Sequence, residues 1–376
     1  MAAGIALILA VAPVVMMWLT WLERKIIARM QDRFGPTRVG RYGLLQPLAD
    51  GVKMLTKEDI VPSGADALLH TLAPIVIVVP VLLLFAVLPL GPRLIVADLN
   101  TGLLFFLAAA STQTLAIFMA GWGSRSKFPL LGALRTVAQI MAYEVPMLLS
   151  LATVAMIAGS LSTVAIVEAQ VQRWFVTTPW GGAAFLIFLI CALAEVNRTP
   201  FDLPEAESEL VGGFHTEYSG MKFALFYMAE FLSTFAMAAL GATLFLGGWL
   251  GPGLPGWLWM AIKTYGLVFV MIWIRGTWPR FRIDQLMALA WKCLLPLAIV
   301  NVLAAGAWHY LPRPWGSVTA SASLITAFLV TSQMWLPRSS RRGARPIHWM
   351  GAPPPDGYPA GGDVYPAGVV ELQTGA

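Results

Sequence analysis

Carboxylates are concentrated in one short stretch of the chain. Residues 195–230 hold seven of its twenty Asp and Glu residues, and only two basic residues accompany them. These acids are Glu195, Asp202, Glu205, Glu207, Glu209, Glu217 and Glu230. Crowded carboxylates in a low-dielectric setting cannot all ionise, which suits them to relaying protons. A solvated acidic loop remains the alternative for Glu207 and Glu209. Glu195 and Glu230 adjoin apolar runs, where a carboxylate is costly, and they favour a functional role.

Two further charged side chains interrupt or adjoin apolar runs. Glu144 lies well inside the apolar stretch 135–158, two residues before Pro146. It is either a proton station beside a helix defect or a structural acid bonded to a neighbouring helix. Arg275 follows the apolar residues 270–274 directly, and a guanidinium in that position needs a carboxylate partner. The candidates for that partner are Glu23, Asp202 and Glu205.

The elements that must position these residues are membrane helices. The chain has 376 residues, of which 58% are hydrophobic and 12% charged, with a mean hydropathy of +0.71. These values exclude a soluble enzyme, a disordered protein and a nucleic-acid-binding protein, despite the net charge of +5. The sequence predicts an all-α integral membrane protein with about nine transmembrane helices. The predicted spans are 2–22, 72–91, 103–122, 135–158, 180–197, 223–249, 257–274, 286–309 and 318–336.

Basic residues are distributed unequally between the two sets of predicted loops. Twenty of the 25 Lys and Arg residues fall in loops on one side, and the positive-inside rule puts the N-terminus outside and the C-terminus inside. The first inside loop, 23–71, carries an amphipathic helix pattern, with Leu44, Leu45, Leu48, Val52 and Leu55 at helical spacing. We predict a membrane domain over 1–337 and a Pro/Gly-rich tail over 338–376.

The remaining residue types do not form a recognisable reaction centre. Cys191 and Cys293 lie in apolar runs, and two cysteines cannot hold a four-ligand metal site. The four histidines, His70, His215, His309 and His348, show no ligand spacing. No P-loop, dinucleotide fingerprint or catalytic triad is present. We therefore expect no metal site and no complete active site in this chain alone.

Three long motifs resemble a known family. The first joins Glu23-Arg24-Lys25 to QDRFGPTRVG (31–40) and GLLQPLADGVK (43–53). The second is AEVNRTPFDLPEAESELV (194–211), followed by Glu217-Tyr218 and by Met228 to Phe231. The third is Arg275 with PRFRIDQLM (279–287) and Trp291-Lys292. They resemble the family of the H subunit, the quinone-site membrane subunit, of proton-pumping NADH:quinone oxidoreductase, respiratory complex I. The resemblance covers about residues 15–336, and the tail matches no pattern.

The resemblance implies a bacterial inner-membrane subunit that docks the hydrophilic arm. Its substrate would be a quinone, ubiquinone or menaquinone, which reaches the arm through a tunnel. The chain itself would bind no redox cofactor, because iron–sulfur clusters and FMN lie in partner subunits. The partners implied are the iron–sulfur and quinone-site subunits of the hydrophilic arm, the proton-translocating subunits of the membrane arm, and the lipid bilayer.

The resemblance also assigns residues to two sets. The predicted quinone set, which would line or border the tunnel, is Arg24, Gln46, Asp50, Lys53, Arg198, Asp202, Tyr227 and Arg275. The predicted proton set, which would lead toward the pumping subunits, is Glu144, Glu195, Glu205, Glu207, Glu217 and Glu230. The acids of the second set also stand out by their positions in the sequence alone.

Three other functions stay open at this level. Intramembrane carboxylates and Pro-interrupted spans also fit a stand-alone secondary ion transporter or antiporter. The equivalent subunit of a membrane-bound hydrogenase-type complex would use no quinone. A purely structural anchor is disfavoured by the crowded acids. Co-purification with iron–sulfur subunits, together with quinone reductase activity sensitive to rotenone or piericidin, would distinguish the complex I function.

Overall fold

The protein folds into a bundle of long helices in a computed structural model that describes residues 2–92, 94–203, 211–312 and 315–335. The helices are α1 (Ala2–Met30), α2 (Gln46–Thr56), α3 (Ala67–Leu84), α4 (Gly102–Gly123), α5 (Lys127–Ala158), α6 (Thr163–Glu168), α7 (Pro179–Glu195), α8 (Gly220–Phe245), α9 (Gly256–Thr277), α10 (Ile283–Tyr310) and α11 (Trp315–Trp335). Single 3-10 turns cover Arg41–Gly43, Phe85–Val87, Phe175–Thr177 and Gly213–His215. No β-strand occurs within these ranges. The prediction of an all-α integral membrane protein is confirmed.

Eight of the described helices are long and apolar enough to cross a bilayer, namely all except α2, α6 and α7. The fifth predicted span corresponds to α7, which is apolar but has only 17 residues. At a rise of 1.5 Å per residue that is about 25 Å, less than the ~30 Å hydrocarbon thickness. A total of nine spans therefore stays a prediction. The boundary between the domains at 337/338 lies outside the described residues.

The first helix is longer than its apolar run. The sequence predicts a span over 2–22 and a loop from residue 23, whereas α1 continues to Met30. Lys and Arg are good helix formers and are favourable near a helix C-terminus, so the charged segment extends the helix. As a result Glu23 and Arg24 lie on a rigid helix rather than on a loop.

The amphipathic helix predicted in the loop after the first span is present as α2, which begins at Gln46, so Leu44 and Leu45 precede it. Leu48, Val52 and Leu55 on this helix are 51%, 53% and 67% exposed. Gln46 and Asp50, one turn apart, hydrogen-bond to each other. An apolar stripe left uncovered beside a polar stripe is the pattern of a helix lying at a membrane interface.

The buried core lies where α8 meets α3, α7 and α9. Every residue from Phe231 to Phe245 is buried except Phe235. Gly241 permits the close approach to α7, because a Cβ there would lie 2.9 Å from a ring carbon of Phe188. This packing makes α8 the central helix of the bundle. It also holds in place the helix that carries Glu230.

A lysine closes the far end of α8. Lys263, on α9, donates to the carbonyl oxygens of Leu246, Gly248 and Leu250 at 2.6, 2.9 and 2.7 Å. Its Nζ also lies 4.4 Å from the ring centre of Trp174. The ammonium thus satisfies carbonyls that a helix end and the following loop leave unpaired.

One turn of α10 is a π-helix. It covers Leu289–Leu294 and is followed closely by Pro296. Proline has no N–H to donate to the carbonyl one turn earlier, so the hydrogen-bond ladder widens at this point. The interruption of the eighth span that Pro296 predicts is present as this turn.

Candidate functional site

A carboxylate on α1 joins two arginines from distant parts of the chain. Arg198 Nη1 lies 2.9 Å from Oε2 and 3.0 Å from Oε1 of Glu23. Arg275 Nη1, at the end of α9, donates to Oε1 of the same carboxylate. The side chains of Arg198 and Glu23 are only 5% and 12% exposed. Glu23 is therefore the partner that the position of Arg275 requires, and the prediction of a carboxylate partner is confirmed.

Arg198 also reaches the proton set. Its Nε lies 2.8 Å from Oε1 of Glu230, and its guanidinium is 4.3 Å from the ring centre of Phe231. A buried arginine held by two carboxylates and an aromatic face has one well-defined position. The result is a continuous ion-pair chain, Arg275–Glu23–Arg198–Glu230. It runs from α9 through α1 and the turn after α7 to α8.

The end of α7 explains why Arg198 points into the bundle. Asn197 adopts a left-handed conformation with φ 55°, and the Arg198 N–H donates to the Leu193 carbonyl at 3.2 Å. This six-residue closure is the Schellman pattern, in which Asn is tolerated after the last helical turn. Gln139 Nε2 on α5 donates to the carbonyls of Ala194 and Phe201, both at 2.8 Å, and fixes the turn.

Glu195 and Glu230 face a common cavity. Its volume is about 40 Å³, and Tyr227 and His215 line it as well. Room for a water molecule takes roughly 10–15 Å³ by this measure, whereas ligand pockets measure roughly 300 Å³ or more. The cavity can therefore hold a few water molecules but not a quinone ring. Tyr227, predicted with the quinone set, lies with the acids of the proton set.

A polar row continues from this cavity between α4 and α5. Glu144 accepts a hydrogen bond from Ser111 and is close enough to Glu195 for the two carboxylates to repel each other. Oε2 of Glu195 has almost no exposed surface and no hydrogen-bond partner within the described part of the chain. These contacts fit the proton-station interpretation of Glu144, and the Ser111 bond to α4 equally fits a structural acid.

Four members of the predicted quinone set form a separate cluster on α1 and α2. Arg24 Nη1 lies 2.6 Å from Oδ2 of Asp50, and Gln46 donates to Oδ1 of Asp50 at 3.1 Å. Lys53 is 3.9 Å from the same carboxylate. Arg24 and Gln46 also border an open groove of about 580 Å³ with Arg33, Phe34 and Arg38. This cluster is distinct from the buried ion-pair chain.

The other predicted residues are placed individually. Asp202 is buried, and Arg280 pairs with it at 2.9 Å. Glu217 presents its carbonyl oxygen 3.4 Å from Nε2 of His70, whose ring stacks on Tyr218 with centroids 4.1 Å apart. Glu205 and Glu207 lie outside the described residues. Within the described ranges, no cluster of three or more His, Cys, Asp or Glu side chains could hold a metal ion.

Burial shifts the protonation of two groups in the loop before α8. It lowers the pKa of His215 to about 4 and raises the pKa of Tyr218. Both shifts have the sign expected when a charged form is desolvated. His215 is therefore a neutral imidazole at physiological pH, and Tyr218 is a neutral phenol.

Three participants in the site are not assigned to it by the sequence. The sequence indicates Glu23 only as a partner for Arg275 and Arg280 only as a topology signal, and it gives His215 no role. The sequence does contain an indication of the role of Glu23, because this residue directly follows an apolar run, as Arg275 does. The two pairings of Glu23 join residues more than 170 positions apart, and no local spacing indicates them.

This fold and site define a class of protein: a polytopic helical membrane protein with a buried network of acids and arginines. A family model described as NADH dehydrogenase matches residues 3–306. The NADH-quinone oxidoreductase H subunit numbered 2 in Syntrophobacter fumaroxidans is 50% identical over 315 residues, covering 81% of this chain and 95% of that protein.

Two further relatives are similarly close. The H subunit numbered 1 in Geobacter metallireducens is 51% identical, and the match covers 83% of this chain and 96% of that protein. The H subunit of Geobacillus kaustophilus is 48% identical, with 81% and 93% covered. The chain belongs to the H subunit family of NADH-quinone oxidoreductase, a membrane subunit of complex I.

Proposed function

We propose that this chain forms the quinone-access tunnel and chamber together with the hydrophilic arm, and couples quinone reduction to proton translocation. The proposed quinone side comprises Arg24, Gln46, Asp50, Lys53, Arg198, Asp202, Tyr227 and Arg275. The proposed proton side comprises Glu144, Glu195, Glu205, Glu207, Glu217 and Glu230. Iron–sulfur clusters and FMN would reside in partner subunits, and the assembly would lie in the bacterial cytoplasmic membrane.

The observation that carries this proposal is the ion-pair chain Arg275–Glu23–Arg198–Glu230. It connects two arginines of the quinone side to a carboxylate of the proton side through buried contacts of 2.8–3.0 Å at Arg198. Glu230 in turn shares a cavity with Glu195, which interacts with Glu144. A change in charge at one end therefore has a short, poorly screened path to the other end.

The coupling step follows from the chemistry of the quinone. Two-electron reduction produces an anion that must acquire two protons. A unit charge about 6 Å from Arg198 would interact with it by about 3 kcal/mol at an effective dielectric constant of 20. Arg198 then balances less of the charge on Glu230, and Glu230 is free to take a proton from the cavity. The same charge attracts Arg275, so the hold of both arginines on Glu23 weakens.

Substitution of Glu195 tests the proton side. In the assembled complex, Glu195→Gln should lower quinone reduction about tenfold or more and reduce the protons moved per electron, while reduction of an artificial acceptor by the hydrophilic arm stays unchanged. The exposed acid Glu168, on α6, provides the control substitution Glu168→Gln. Wild-type quinone reduction and pumping in Glu195→Gln would remove Glu195 from the path.

Isolation in mild detergent tests the assembly. We expect co-purification with iron–sulfur subunits and NADH:quinone activity sensitive to rotenone or piericidin. A lone chain that transports ions by itself would instead support the transporter. An assembly that evolves or oxidises hydrogen without a quinone would support the hydrogenase-type alternative. The names of the relatives favour the first outcome.

A further inference from the structure

His215 lines the cavity that Glu195 and Glu230 share, and the backbone around it is closely packed. It ends the 3-10 turn Gly213–His215, which packs against α5. That packing needs glycine, because a Cβ on Gly132 would lie 2.9 Å from the Cα of Gly213, and Gly213 itself has φ +66°. The imidazole lies against the rings of Phe214 and Phe223, with centroids 5.0 and 5.3 Å apart.

His215 borders two environments. It lines the cavity together with Glu195, Glu230 and Tyr227, the other titratable side chains there. Its residue surface is partly exposed, whereas Oε2 of Glu195 has almost none. The linings from α3, α4 and α5 are uncharged, among them Ile77, Gln113 and Ile140. His215 therefore lies between the surface of the loop and the enclosed carboxylates.

We propose that His215 relays protons between the loop surface and the cavity that holds Glu195 and Glu230. This inference rests on the proposed function, since it adds a member to the same proton path. The partner groups are water molecules on the loop side and either a cavity water or a carboxylate on the other side.

The chemistry of the imidazole suits this position. Burial lowers its pKa to about 4, so the ring is neutral at pH 7, with one nitrogen as donor and the other as acceptor. The acceptor nitrogen binds the arriving proton, and the N–H of the other nitrogen releases its proton to the next water or carboxylate. The transient cation makes up about one part in a thousand at pH 7. Rotation of the ring, or the reverse transfer of protons through water, restores the starting tautomer.

The test compares His215→Gln and His215→Ala in the assembled complex. Gln keeps hydrogen bonds to water but cannot carry a proton, so quinone-linked turnover should fall about tenfold and the solvent deuterium isotope effect should rise. Reduction of an artificial acceptor should stay at the wild-type rate. Added imidazole should restore part of the turnover of His215→Ala. His309→Gln, at the exposed end of α10, is the matched control.

The outcomes separate this inference from the function on which it rests. Wild-type turnover in His215→Gln, with Glu195→Gln impaired, overturns the relay alone. Slow turnover with an unchanged isotope effect and no response of His215→Ala to imidazole makes His215 a packing residue and also overturns the relay. Wild-type behaviour in both His215→Gln and Glu195→Gln overturns the proton path as a whole.

Discussion

Glu23 is the residue through which the two halves of the candidate site are connected. It neutralises Arg198 and Arg275 at once, and its side chain is 12% exposed. Removing one member of a buried charge network leaves the others without compensation, and the cost exceeds that of breaking a surface pair. Because this acid lies on a helix rather than on a flexible loop, both arginines have a partner in a well-defined position.

Neutralising Glu23 should impair coupling without preventing assembly. We expect Glu23→Gln to lower quinone-linked turnover about tenfold, because Gln keeps the shape but not the charge that holds both arginines. The measurement is turnover with a quinone against turnover with an artificial acceptor in the same preparation. Asp59→Asn, which breaks the more exposed Lys222–Asp59 pair, is the control and should change turnover little. Equal effects of the two substitutions would contradict a special role for Glu23.

The lowered pKa of His215 predicts that the stability of the protein depends on pH. This pKa is about 4 in the folded chain and 6.5 when unperturbed, so the unfolded state binds more protons between these values. Stability is therefore lost as the pH falls from about 7 toward 4. Relative to His215→Gln, the wild type should lose about 2 kcal/mol between pH 7 and pH 5. Midpoints of thermal inactivation for both proteins at the two pH values check this, and parallel midpoints would contradict it.

At the scale of elements, hydropathy predicts helices well and their ends poorly. The apolar runs locate the spanning helices because each must satisfy its own backbone in lipid. The end of α1 is missed because Glu23, Arg24, Lys25 and Arg29 are charged yet form helix readily. The pairing of Arg198 with Glu23 could not be predicted, since it depends on how α1 packs against the end of α7.

The orientation of α2 can be measured directly. A cysteine at Leu48 should react slowly with a water-soluble maleimide in native membranes, whereas one at Lys57 should react quickly, because the apolar stripe of α2 lies in the interface. Both native cysteines of this chain are buried, which keeps the background low. Mass spectrometry of the labelled chain reports the rates. Fast reaction at Leu48 would mean that this stripe is exposed to water.

At the scale of the whole molecule, most of the paired charges lie toward one end of the bundle. Except for Glu230, which lies within α8, the ion-pair chain, the α2 cluster and the Asp202–Arg280 pair lie in segments that the sequence assigns to the inside. The asymmetry of basic residues could be read without a structure, because it depends only on the order of spans and loops. That those charges form a network depends on how the helices pack, which the order of residues does not indicate.

The same asymmetry predicts the orientation of the chain in the membrane. A protease-sensitive tag placed after Ala376 should be cleaved in inverted membrane vesicles and protected in right-side-out vesicles, because the basic loops stay inside. A tag before Met1 should behave in the opposite way. Cleavage of both tags from the same side would require an even number of spans and would contradict the predicted topology.

The lysine at the far end of α8 has a consequence for the direction of proton movement. Lys263 directs its three N–H groups at backbone carbonyls, which hold its positive charge in one place. One of these carbonyls, that of Leu246, follows the last turn of α8. At a rise of 1.5 Å per residue it lies about 24 Å along the axis of α8 from Glu230. A proton that followed α8 outward would meet a fixed positive potential, the kind of barrier by which pores exclude cations. On the proposed proton path, this charge would oppose discharge across the chain and would favour a lateral exit, into whichever subunit borders the acids.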